Sequence, residues 1–336
     1  MRVAIVGATG AVGNELLRVL EQRHFPVRDL RALASARSVG STVTFRGEAI
    51  AVREATPDAF DGVEIAFFSA GATRSRALVP AARAAGAVVI DNSSAFRMDP
   101  DVPLAVPEIN LGPAERDRTL YSVPNCTAII LTMAIAPLRA LGTIERLVVS
   151  TYQSASGGGA GMMRYLESDT QAYLTNGSGI DAGDRPDGLP PYAFNCFSHN
   201  TAIDDHGQNE EEAKVIAETR KILGQPNLRA NVTCVRVPVL RAHCESVCIE
   251  FADAAPAVEA VRDVIQRAPG LRLVDDRAAN QFPTTRSAAN GDDVLVGRIR
   301  HDRDDPRVLN LWIAGDQLRK GAALNAVQIA EWRFSA

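Results

Sequence analysis

The sequence begins with the stretch that decides the expected fold. It reads Arg2-Val3-Ala4-Ile5-Val6-Gly7-Ala8-Thr9-Gly10-Ala11-Val12-Gly13. The part before the first glycine is apolar and β-rich, which is typical of a buried strand, and residues 14–20 then carry apolar side chains at helical spacing. Strand, glycine turn and helix therefore follow one another in the order that a dinucleotide-binding fold requires.

The glycines are spaced G-x-x-G-x-x-G, a variant of the commoner G-x-G-x-x-G. We expect Gly7 to permit the tight turn and Gly10 to let the backbone approach a pyrophosphate at the helix N-terminus. We expect Gly13 to allow close packing of the helix on the strand. The alternative is an ordinary glycine loop, but the context between a strand and a helix favours cofactor binding.

The rest of the first 125 residues or so alternates between strand-like and helix-like segments. Strands are predicted at 30–34, 63–68 and 87–91, a helix at 73–85, and a hairpin at 42–53. Such alternation predicts an α/β fold, with an N-terminal Rossmann-type, doubly wound parallel sheet.

The end of the second predicted strand bears on the choice of cofactor. NAD-preferring folds place an acidic residue there to hold the ribose hydroxyls, but here Asp29 precedes the strand and none follows it. Instead Arg37, between Ser35 and Ser38, could pair with a 2′-phosphate. This pattern favours NADP, with a solvated surface arginine as the alternative.

A single cysteine lies where a reactive thiol is expected. Cys126 follows Pro124-Asn125 and precedes a run of apolar residues. Pro124 disfavours a helical conformation at Val123, and Asn125 suits a helix cap, so Cys126 should open a helix. Unpaired N–H groups and the helix dipole lower the pKa of a thiol there, which favours a nucleophile. The alternative is a buried free cysteine.

Other candidates follow predicted strands or begin predicted helices. Arg97 comes after the strand at 87–91 and could clamp an anion, or it could be a surface arginine. Glu211 and Lys214 share one face of a helix that Asn209 caps, where they could bind charged groups or form a solvated ion pair. His243, between two strand-like runs, could be a general base or a structural histidine.

After the helix that Cys126 is expected to open, the regular alternation of predicted strands and helices ends. A glycine-rich turn at 157–161 precedes a helix, and it could approach a ligand or simply connect two elements. Residues 176–208 form a long excursion of a kind that is usually functional or interfacial. We therefore expect a second, mixed α+β domain. Its predicted strands are 144–153, 231–239, 271–274, 294–300 and 308–314, and its helices are 162–175, 209–223 and 256–267.

Composition narrows the possible partners. A chain of 336 residues favours two domains. The net charge of −4 without basic blocks argues against nucleic acid. Five cysteines without C-x-x-C spacing favour a reducing cytoplasm and argue against a metal site. The longest apolar run, 127–138, is too short to cross a membrane, and the start reads as a strand rather than as a signal peptide.

These pieces together resemble the aspartate-β-semialdehyde dehydrogenase family over nearly the whole length. The cysteine, glutamine, Arg…His and C-terminal segments are far more specific than the glycine motif. The matching segments are GATGAVG (7–13), ASARSVG (34–40), SSAFR (93–97), VPNCTA (123–128), TYQSASGGG (151–159), EEEAK (210–214), RVPVLRAH (236–243), VGRIR (296–300) and LRKGAALNAVQIAE (318–331).

The resemblance implies a role for each matching residue. The implied catalytic residues are Cys126 as nucleophile, His243 as acid/base partner and Gln153, which orients the acyl intermediate. The implied substrate-binding residues are Arg236 for the carboxylate, Glu211 for the amino group, and Arg97 with Lys214 for phosphate. The implied NADP-binding residues are Gly7, Thr9, Gly10, Ala11, Val12, Ser35, Arg37, Ser38, Ser156, Gly157 and Gln317.

The resemblance also implies an activity and an organisation. The expected reaction is the NADPH-dependent reduction of L-aspartyl 4-phosphate to L-aspartate 4-semialdehyde and phosphate, which serves the biosynthesis of lysine, threonine, methionine and isoleucine. The expected protein is a cytoplasmic homodimer. Residues 1–127, completed by a helix at 318–334, would bind NADP, and residues 128–317 would carry catalysis and dimerisation.

The sequence departs from the family pattern in three places. Ser41 stands where relatives carry lysine, Asp316-Gln317 stands where they often carry Asp-Asn, and residues 195–200 replace an N-x-x-P segment. The first departure weakens the expected 2′-phosphate site. Two alternatives stay open: an N-acetyl-γ-glutamyl-phosphate reductase, which shares the glycine motif and a Cys–His pair, and a paralogue without catalytic activity.

Overall fold

The computed structural model describes residues 1–186 and 189–335. It divides into two compact units. The first contains Met1–Asn125 and the chain from Gly321 onwards, and the second contains Cys126–Lys320. We describe each unit by itself.

Strands and helices alternate in the first unit, as the sequence predicts. In chain order they are β1 (Arg2–Val6), α1 (Ala11–Gln22), β2 (Asp29–Ala34), β3 (Thr42–Phe45), β4 (Glu48–Glu54), β5 (Ile65–Phe68), α2 (Ala72–Ala84), β6 (Val88–Asp91), α3 (Pro107–Asn110) and β7 (Leu120–Ser122).

The seven strands of residues 1–125, all of which the structure describes, form one sheet in the order β3-β4-β2-β1-β5-β6-β7. All neighbours are parallel except β3 and β4, which form the predicted hairpin at the edge. The central strand β1 is buried from Val3 to Val6, because helices cover both faces of such a sheet. The predicted Rossmann-type fold is confirmed.

The glycine turn joins β1 to α1 as the motif predicts. Gly7 has φ +91°, a left-handed conformation that favours glycine, and its N–H donates to the carbonyl of Leu33 at 2.8 Å. A Cβ on Gly13 would collide with the backbone of Gly7 and Ala8, so α1 can approach the turn closely only because position 13 is glycine. Gly10 is the N-cap of α1.

The second unit contains the mixed elements. In chain order they are α4 (Cys126–Ile135), β8 (Ile144–Gln153), α5 (Ala160–Asn176), β9 (Phe197–Ser198), α6 (Glu210–Leu223), β10 (Arg229–Arg236), β11 (His243–Phe251), α7 (Val258–Arg267), β12 (Leu271–Leu273), α8 (Thr285–Ala288), β13 (Val294–His301) and β14 (Val308–Gly315). A π-helical turn, Arg319–Ala323, leads into the last helix of the first unit, α9 (Leu324–Phe334).

The described strands of the second unit form one mixed sheet in the order β12-β13-β14-β11-β8-β10-β9. Strands β8 and β10 are parallel, and β11 is antiparallel to both β8 and β14. Helix α4 is buried at every position after Cys126, because its sequence is apolar on all sides. The predicted mixed α+β domain is thereby confirmed.

Helix boundaries follow local sequence signals. Helix α6 begins with the predicted capping box, in which the Asn209 side chain accepts from the Glu212 N–H at 2.9 Å and the Glu212 carboxylate accepts from the Asn209 N–H at 3.0 Å. It ends at Gly224, which has φ +63°. The excursion at 176–208 contains a short helical turn, Ala182–Asp184, and β9, while residues 187 and 188 of that prediction lie outside the described residues.

Candidate active site

Three neighbouring strands of the second unit carry the predicted site residues at one end. Arg236 and Gln153 are register partners at the carboxyl ends of the parallel pair β10 and β8. His243 is the first residue of β11 and immediately precedes Cys244, which pairs with Tyr152. His243 is thus opposite Gln153, which is itself the partner of Arg236. Because opposed residues of neighbouring strands point to the same side, the three side chains lie side by side on one face of the sheet, and all three are buried.

Cys126 opens α4, as predicted, and lies beside the predicted histidine. Its Sγ is 3.6 Å from Nε2 of His243. None of the five cysteines forms a disulfide, and Cys126 keeps part of its surface exposed. The structure therefore brings together a free thiol at a helix N-terminus and an imidazole nitrogen, which is an arrangement suited to nucleophilic catalysis.

The hydrogen bonds of His243 determine its tautomer. The backbone N–H of Ser154 donates to Nδ1 at 3.0 Å, and the Ser154 hydroxyl is 3.1 Å away. Because Nδ1 accepts, the hydrogen of the neutral ring is on Nε2, the atom that faces the Cys126 sulfur. Complete burial, with the charge of Arg236 next, lowers the pKa of His243 to about 3. The ring is thus neutral near pH 7 and presents an N–H group that stabilises a thiolate.

Three oxygens surround the amide nitrogen of Gln153 and share its two hydrogens. They are the Thr127 hydroxyl at 3.0 Å, the Thr151 hydroxyl at 3.3 Å and Oε1 of Glu211 at 3.3 Å. Gln153 is almost fully buried, and Glu211 is buried with it. Gln153 therefore links the helix of the nucleophile to the carboxylate on α6.

Arg236 is held from two sides. Its Nη1 donates to the carbonyl of Ser154 at 3.2 Å, and its Nε lies 3.5 Å from Oδ1 of Asn200. Gly157 lies directly beside Arg236 and His243. A Cβ at position 157 would lie 3.1 Å from both Nη1 of Arg236 and Nε2 of His243. The glycine-rich turn is therefore more than a connection, because a side chain at Gly157 would push against two site residues.

The charged residues of α6 have separate partners in the structure. Lys214 forms an ion pair with Glu210 at 2.7 Å, one helical turn away, while Oε1 of Glu211 is 3.3 Å from Nε2 of Gln153.

Ser156 and Gln317 lie in one hydrogen-bonded chain that ends at His243. The Gln317 amide donates to the Ser156 hydroxyl, which is 3.0 Å from the Ser154 hydroxyl. The carbonyl oxygen of the Gln317 side chain accepts from the N–H of Ala242 at 2.9 Å. Sequence reasoning did not single out Ser154, Thr127 or Ala242, since only the fold brings them next to the histidine and the glutamine.

The first unit contains the remaining predicted residues. The guanidinium of Arg97 is buried, and it donates to the carbonyls of Val123 at 2.9 Å and Asn92 at 2.8 Å. These bonds hold the cation in a fixed position within the first unit, after the end of β6. A fixed cation of this kind is suited to an anion.

Eight of the residues predicted to hold NADP lie in the two turns that follow β1 and β2, and the other three, Ser156, Gly157 and Gln317, lie in the second unit. Gly7, Thr9 and Gly10 form the turn before α1, and Ala11 and Val12 are its first residues. Helix N-terminal N–H groups in such a turn suit a pyrophosphate, so the residues present fit a dinucleotide.

The turn after β2 contains Arg37, the arginine predicted to bind a 2′-phosphate. Ser35 caps the short helical turn Ala36–Ser38. Arg37 is exposed, and no ion pair or hydrogen bond engages it within the described residues. Ser41 donates its hydroxyl to the carbonyl of Ser38 at 2.6 Å. A free arginine here is available for a 2′-phosphate, and the hydroxyl of Ser41 is used within the turn.

The described residues, 1–186 and 189–335, contain no cluster of three histidine, cysteine or acidic side chains that could hold a metal ion. None of their helices is long and apolar enough to cross a membrane.

Comparison with known proteins defines the class. Residues 2–116 match the family model of the semialdehyde dehydrogenase NAD-binding domain, and residues 135–320 match that of the semialdehyde dehydrogenase dimerisation domain. Together with the Cys–His pair and the Rossmann-type sheet, these matches show a semialdehyde dehydrogenase.

The relatives identify the family more narrowly. The aspartate-semialdehyde dehydrogenase of Prochlorococcus marinus is 48% identical over 98% of this chain and 95% of its own length, and that of Synechocystis is 49% identical over 98% and 96%. The crystal structure of aspartate-semialdehyde dehydrogenase II of Vibrio cholerae, complexed with ASA, superposes with a TM-score of 0.92 at 41% identity, covering 100% of this chain and 99% of that one. The chain belongs to the aspartate-semialdehyde dehydrogenase family, and the prediction of family and fold is confirmed.

Proposed function

We propose that the chain reduces L-aspartyl 4-phosphate to L-aspartate 4-semialdehyde with NADPH, through a thioester on Cys126. The single observation that carries this mechanism is the 3.6 Å approach of the Cys126 sulfur to Nε2 of His243, at the start of a helix. Family membership supplies the substrate, since the relatives are aspartate-semialdehyde dehydrogenases by name.

The first half-reaction transfers the acyl group to sulfur. The Cys126 thiolate, stabilised by the Nε2–H of His243, attacks the acyl carbon, the bond from carbon to the phosphate oxygen breaks, and phosphate leaves with the electron pair. Arg97 and Lys214 are the proposed phosphate ligands. Arg97 is already fixed by backbone carbonyls, whereas Lys214 would exchange its exposed partner Glu210 for phosphate.

The second half-reaction converts the thioester to the aldehyde. NADPH, when bound, supplies the hydride that the thioester carbon receives. Nε2–H of His243 donates to the oxygen that becomes negative in the resulting hemithioacetal. When the carbon–sulfur bond breaks, the carbonyl forms again, the hydrogen stays with His243, and the thiolate is restored.

The substrate backbone is bound by the residues beside this pair. Arg236 is proposed to bind the α-carboxylate and Glu211 the ammonium, while Gln153, anchored to Thr127 and Glu211, orients the acyl group. Buried and fixed side chains suit this task, because a site that keeps its groups in place loses less entropy when the substrate binds.

Residues of the first unit are proposed to hold NADP. Residues 7 and 9–12 would cradle the pyrophosphate, with Ser35, Arg37 and Ser38 near the 2′-phosphate. The family resemblance adds Ser156, Gly157 and Gln317 to the proposed cofactor-binding residues. The free guanidinium of Arg37 supports NADP over NAD. A structural neighbour, the Candida albicans enzyme, was solved with NADP at 22% identity, a level that supports the fold alone.

We also propose the organisation that the family suggests. Residues 1–127 with 318–334 would form the cofactor domain, and 128–317 would form the catalytic and dimerisation domain of a cytoplasmic homodimer. The match of residues 135–320 to a dimerisation domain and the five free cysteines support these assignments.

One set of assays tests the proposal. Purified protein is given L-aspartate 4-semialdehyde, phosphate and either NADP or NAD, and N-acetylglutamate 5-semialdehyde replaces the first aldehyde in a parallel series. We expect phosphate-dependent NADPH formation with the aspartate compound and a lower KM for NADP. Preference for the acetylated aldehyde would replace the proposal by the N-acetyl-γ-glutamyl-phosphate reductase alternative, and no reduction of cofactor would indicate the non-catalytic one.

A further inference from the structure

A second histidine lies on the same face of the sheet as the site residues. Residues 197 and 198 of β9 pair with Arg236 and Val235 of β10, and the N–H of His199 extends the ladder by donating to the carbonyl of Cys234 at 2.9 Å. Opposed residues of an antiparallel pair point to the same side of the sheet, so the side chains of His199 and Cys234 lie on the same face. Cys234 and Arg236 are two residues apart on one strand, so His199 shares the face of Arg236.

The hydrogen bonds of His199 leave one ring nitrogen available. Its Nδ1 is 3.2 Å from the Thr201 hydroxyl, and that hydroxyl accepts from the backbone N–H of Glu211 at 3.3 Å. The Thr201 hydroxyl can donate to Nδ1 while its oxygen accepts from Glu211. In that tautomer the hydrogen of the neutral ring is on Nε2, for which the described residues supply no hydrogen-bond partner.

The charges around His199 are those of the proposed substrate site. Arg236, Glu211, Lys214 and Glu210 all act on the ring electrostatically. Burial, followed by the charge of Arg236, lowers the pKa of His199 to about 4, so the ring is uncharged at neutral pH. Nε2 of His199 is not among the buried side-chain atoms of the described residues that lack a partner, so this nitrogen is accessible, and a ligand bound near Arg236 could reach it.

We propose that His199 is a further substrate-binding residue, whose Nε2–H donates a hydrogen bond to the carboxylate that Arg236 binds. A carboxylate has about four lone-pair positions, so a guanidinium alone leaves some unfilled. Arg236 also uses Nη1 and Nε for Ser154 and Asn200, which reduces what it can offer. A neutral donor fills the gap without repelling either Arg236 or the ammonium group proposed to lie at Glu211. This inference rests on the proposed role of Arg236.

The test compares two substitutions at position 199. His199→Gln keeps an amide N–H near the position of Nε2, and His199→Leu removes the donor while it keeps the bulk. With L-aspartate 4-semialdehyde we expect His199→Leu to raise KM about tenfold or more with kcat changed less, because a hydrogen bond to a charged group is lost. We expect His199→Gln to stay within about threefold of wild type. His206→Leu, at an exposed histidine of the same connection, is the matched control.

A second substrate distinguishes binding of the carboxylate from a structural role. 3-Aminopropanal keeps the aldehyde and the amine but lacks the carboxylate, so its kcat/KM should be the same in wild type and His199→Leu. Equal losses for both aldehydes, or an unchanged KM for L-aspartate 4-semialdehyde, would overturn the inference.

A binding measurement separates this inference from the proposed function. Calorimetry with L-2-aminobutyrate, which has the α-amino and α-carboxyl groups and no aldehyde, reports on His199 even if wild type shows no turnover. We expect weaker binding in His199→Leu than in His199→Gln, with the folding of each variant checked by its thermal unfolding. Equal affinity in the two variants would count against the role of His199 whatever the assay of turnover shows.

Discussion

The side chain of Gln317 accepts a hydrogen bond from the backbone N–H of Ala242 at 2.9 Å, immediately before His243, whose Nε2 faces the sulfur of Cys126. Ala242 has φ +71°, a left-handed conformation that costs a non-glycine residue on the order of 1 kcal/mol. The other end of the Gln317 amide donates to the Ser156 hydroxyl. One side chain therefore holds both the strained backbone and the hydroxyl pair beside His243.

Replacing Gln317 by leucine should disturb His243 without removing it. We expect kcat of Gln317→Leu to fall by roughly 10- to 100-fold, because Ala242 loses its anchor and a misplaced catalytic group is costly. Steady-state kinetics measure the change, with Gln171→Leu on the exposed side of α5 as a control. A kcat close to wild type would mean that the strand holds His243 without this side chain.

Gly157→Ala should narrow the site. The added Cβ would lie 3.1 Å from Nη1 of Arg236 and from Nε2 of His243, so both groups must shift by a few tenths of an ångström. We expect kcat/KM to fall about tenfold or more. Gly161→Ala is the matched control: it lies in α5 with nothing within 4 Å of the new Cβ, and it should keep activity. Equal activity of the two variants would show that Arg236 and His243 can accommodate a methyl group at position 157.

Cys126→Ser should abolish turnover while the fold survives. A serine hydroxyl is a much weaker nucleophile than a thiolate near pH 7, so we expect a loss of about a thousandfold or more. Cys196→Ser, at an exposed free cysteine, should be as active as wild type. The rate of NADPH formation measures both variants, and near-normal activity in Cys126→Ser would exclude a thioester on this residue.

Arg37→Gln should change the choice of cofactor. If the free guanidinium binds the 2′-phosphate, its loss raises KM for NADP by about tenfold, which corresponds to a charged hydrogen-bonded pair, and leaves KM for NAD nearly unchanged. Arg28→Gln, just before the opposite end of β2, serves as the control. An equal change in KM for NADP and for NAD would indicate that Arg37 does not bind the 2′-phosphate.

Glu245 should make stability depend on pH. It lies fully buried in β11 between Thr151 and Ile313, and neither carboxyl oxygen has a hydrogen-bond partner among the described residues. Burial raises its pKa well above the usual value. The folded state therefore holds a proton that the unfolded state releases above about pH 4.5, so the free energy of unfolding falls as pH rises through that window.

Glu245→Gln replaces the titrating carboxyl group by an amide and tests the predicted pH dependence of the free energy of unfolding. Relative to the variant, wild type should lose up to about 1.4 kcal/mol of unfolding free energy per pH unit between about pH 5 and the raised pKa. Denaturant unfolding at pH 5, 6, 7 and 8 measures the difference. Parallel stability curves would show that Glu245 is ionised in the folded protein or partnered by water.

Local sequence signals predicted most of the elements. The glycines at positions 7 and 13, the capping residues of α6 and the proline and asparagine before Cys126 act over a few residues, so the turn, the helix starts and the strand β8 agree with the sequence. The boundaries of β10 and β11 were less predictable. Residues 237–242 connect β10 to β11 without belonging to either strand, and the N–H of Ala242 in this connection donates to the side chain of Gln317, 75 residues away.

Side-chain partners depended on the fold. Lys214 pairs with Glu210, and Glu211 meets Gln153 of β8, a partner that no spacing within α6 reveals. His199 resembled an ordinary loop residue until the β9–β10 register placed it on the face of Arg236.

The sequence by itself determined the family, the Rossmann-type first unit, and the cysteine at a helix start and the histidine beside it that are proposed to act together. These features depend on residue types and on spacing along the chain. The tertiary structure alone decided which nitrogen of His243 carries hydrogen, what a side chain at Gly157 would meet, and that His199 shares a face with Arg236. Each of these depends on contacts between segments distant in sequence, and only the folded sheet brings such groups close together.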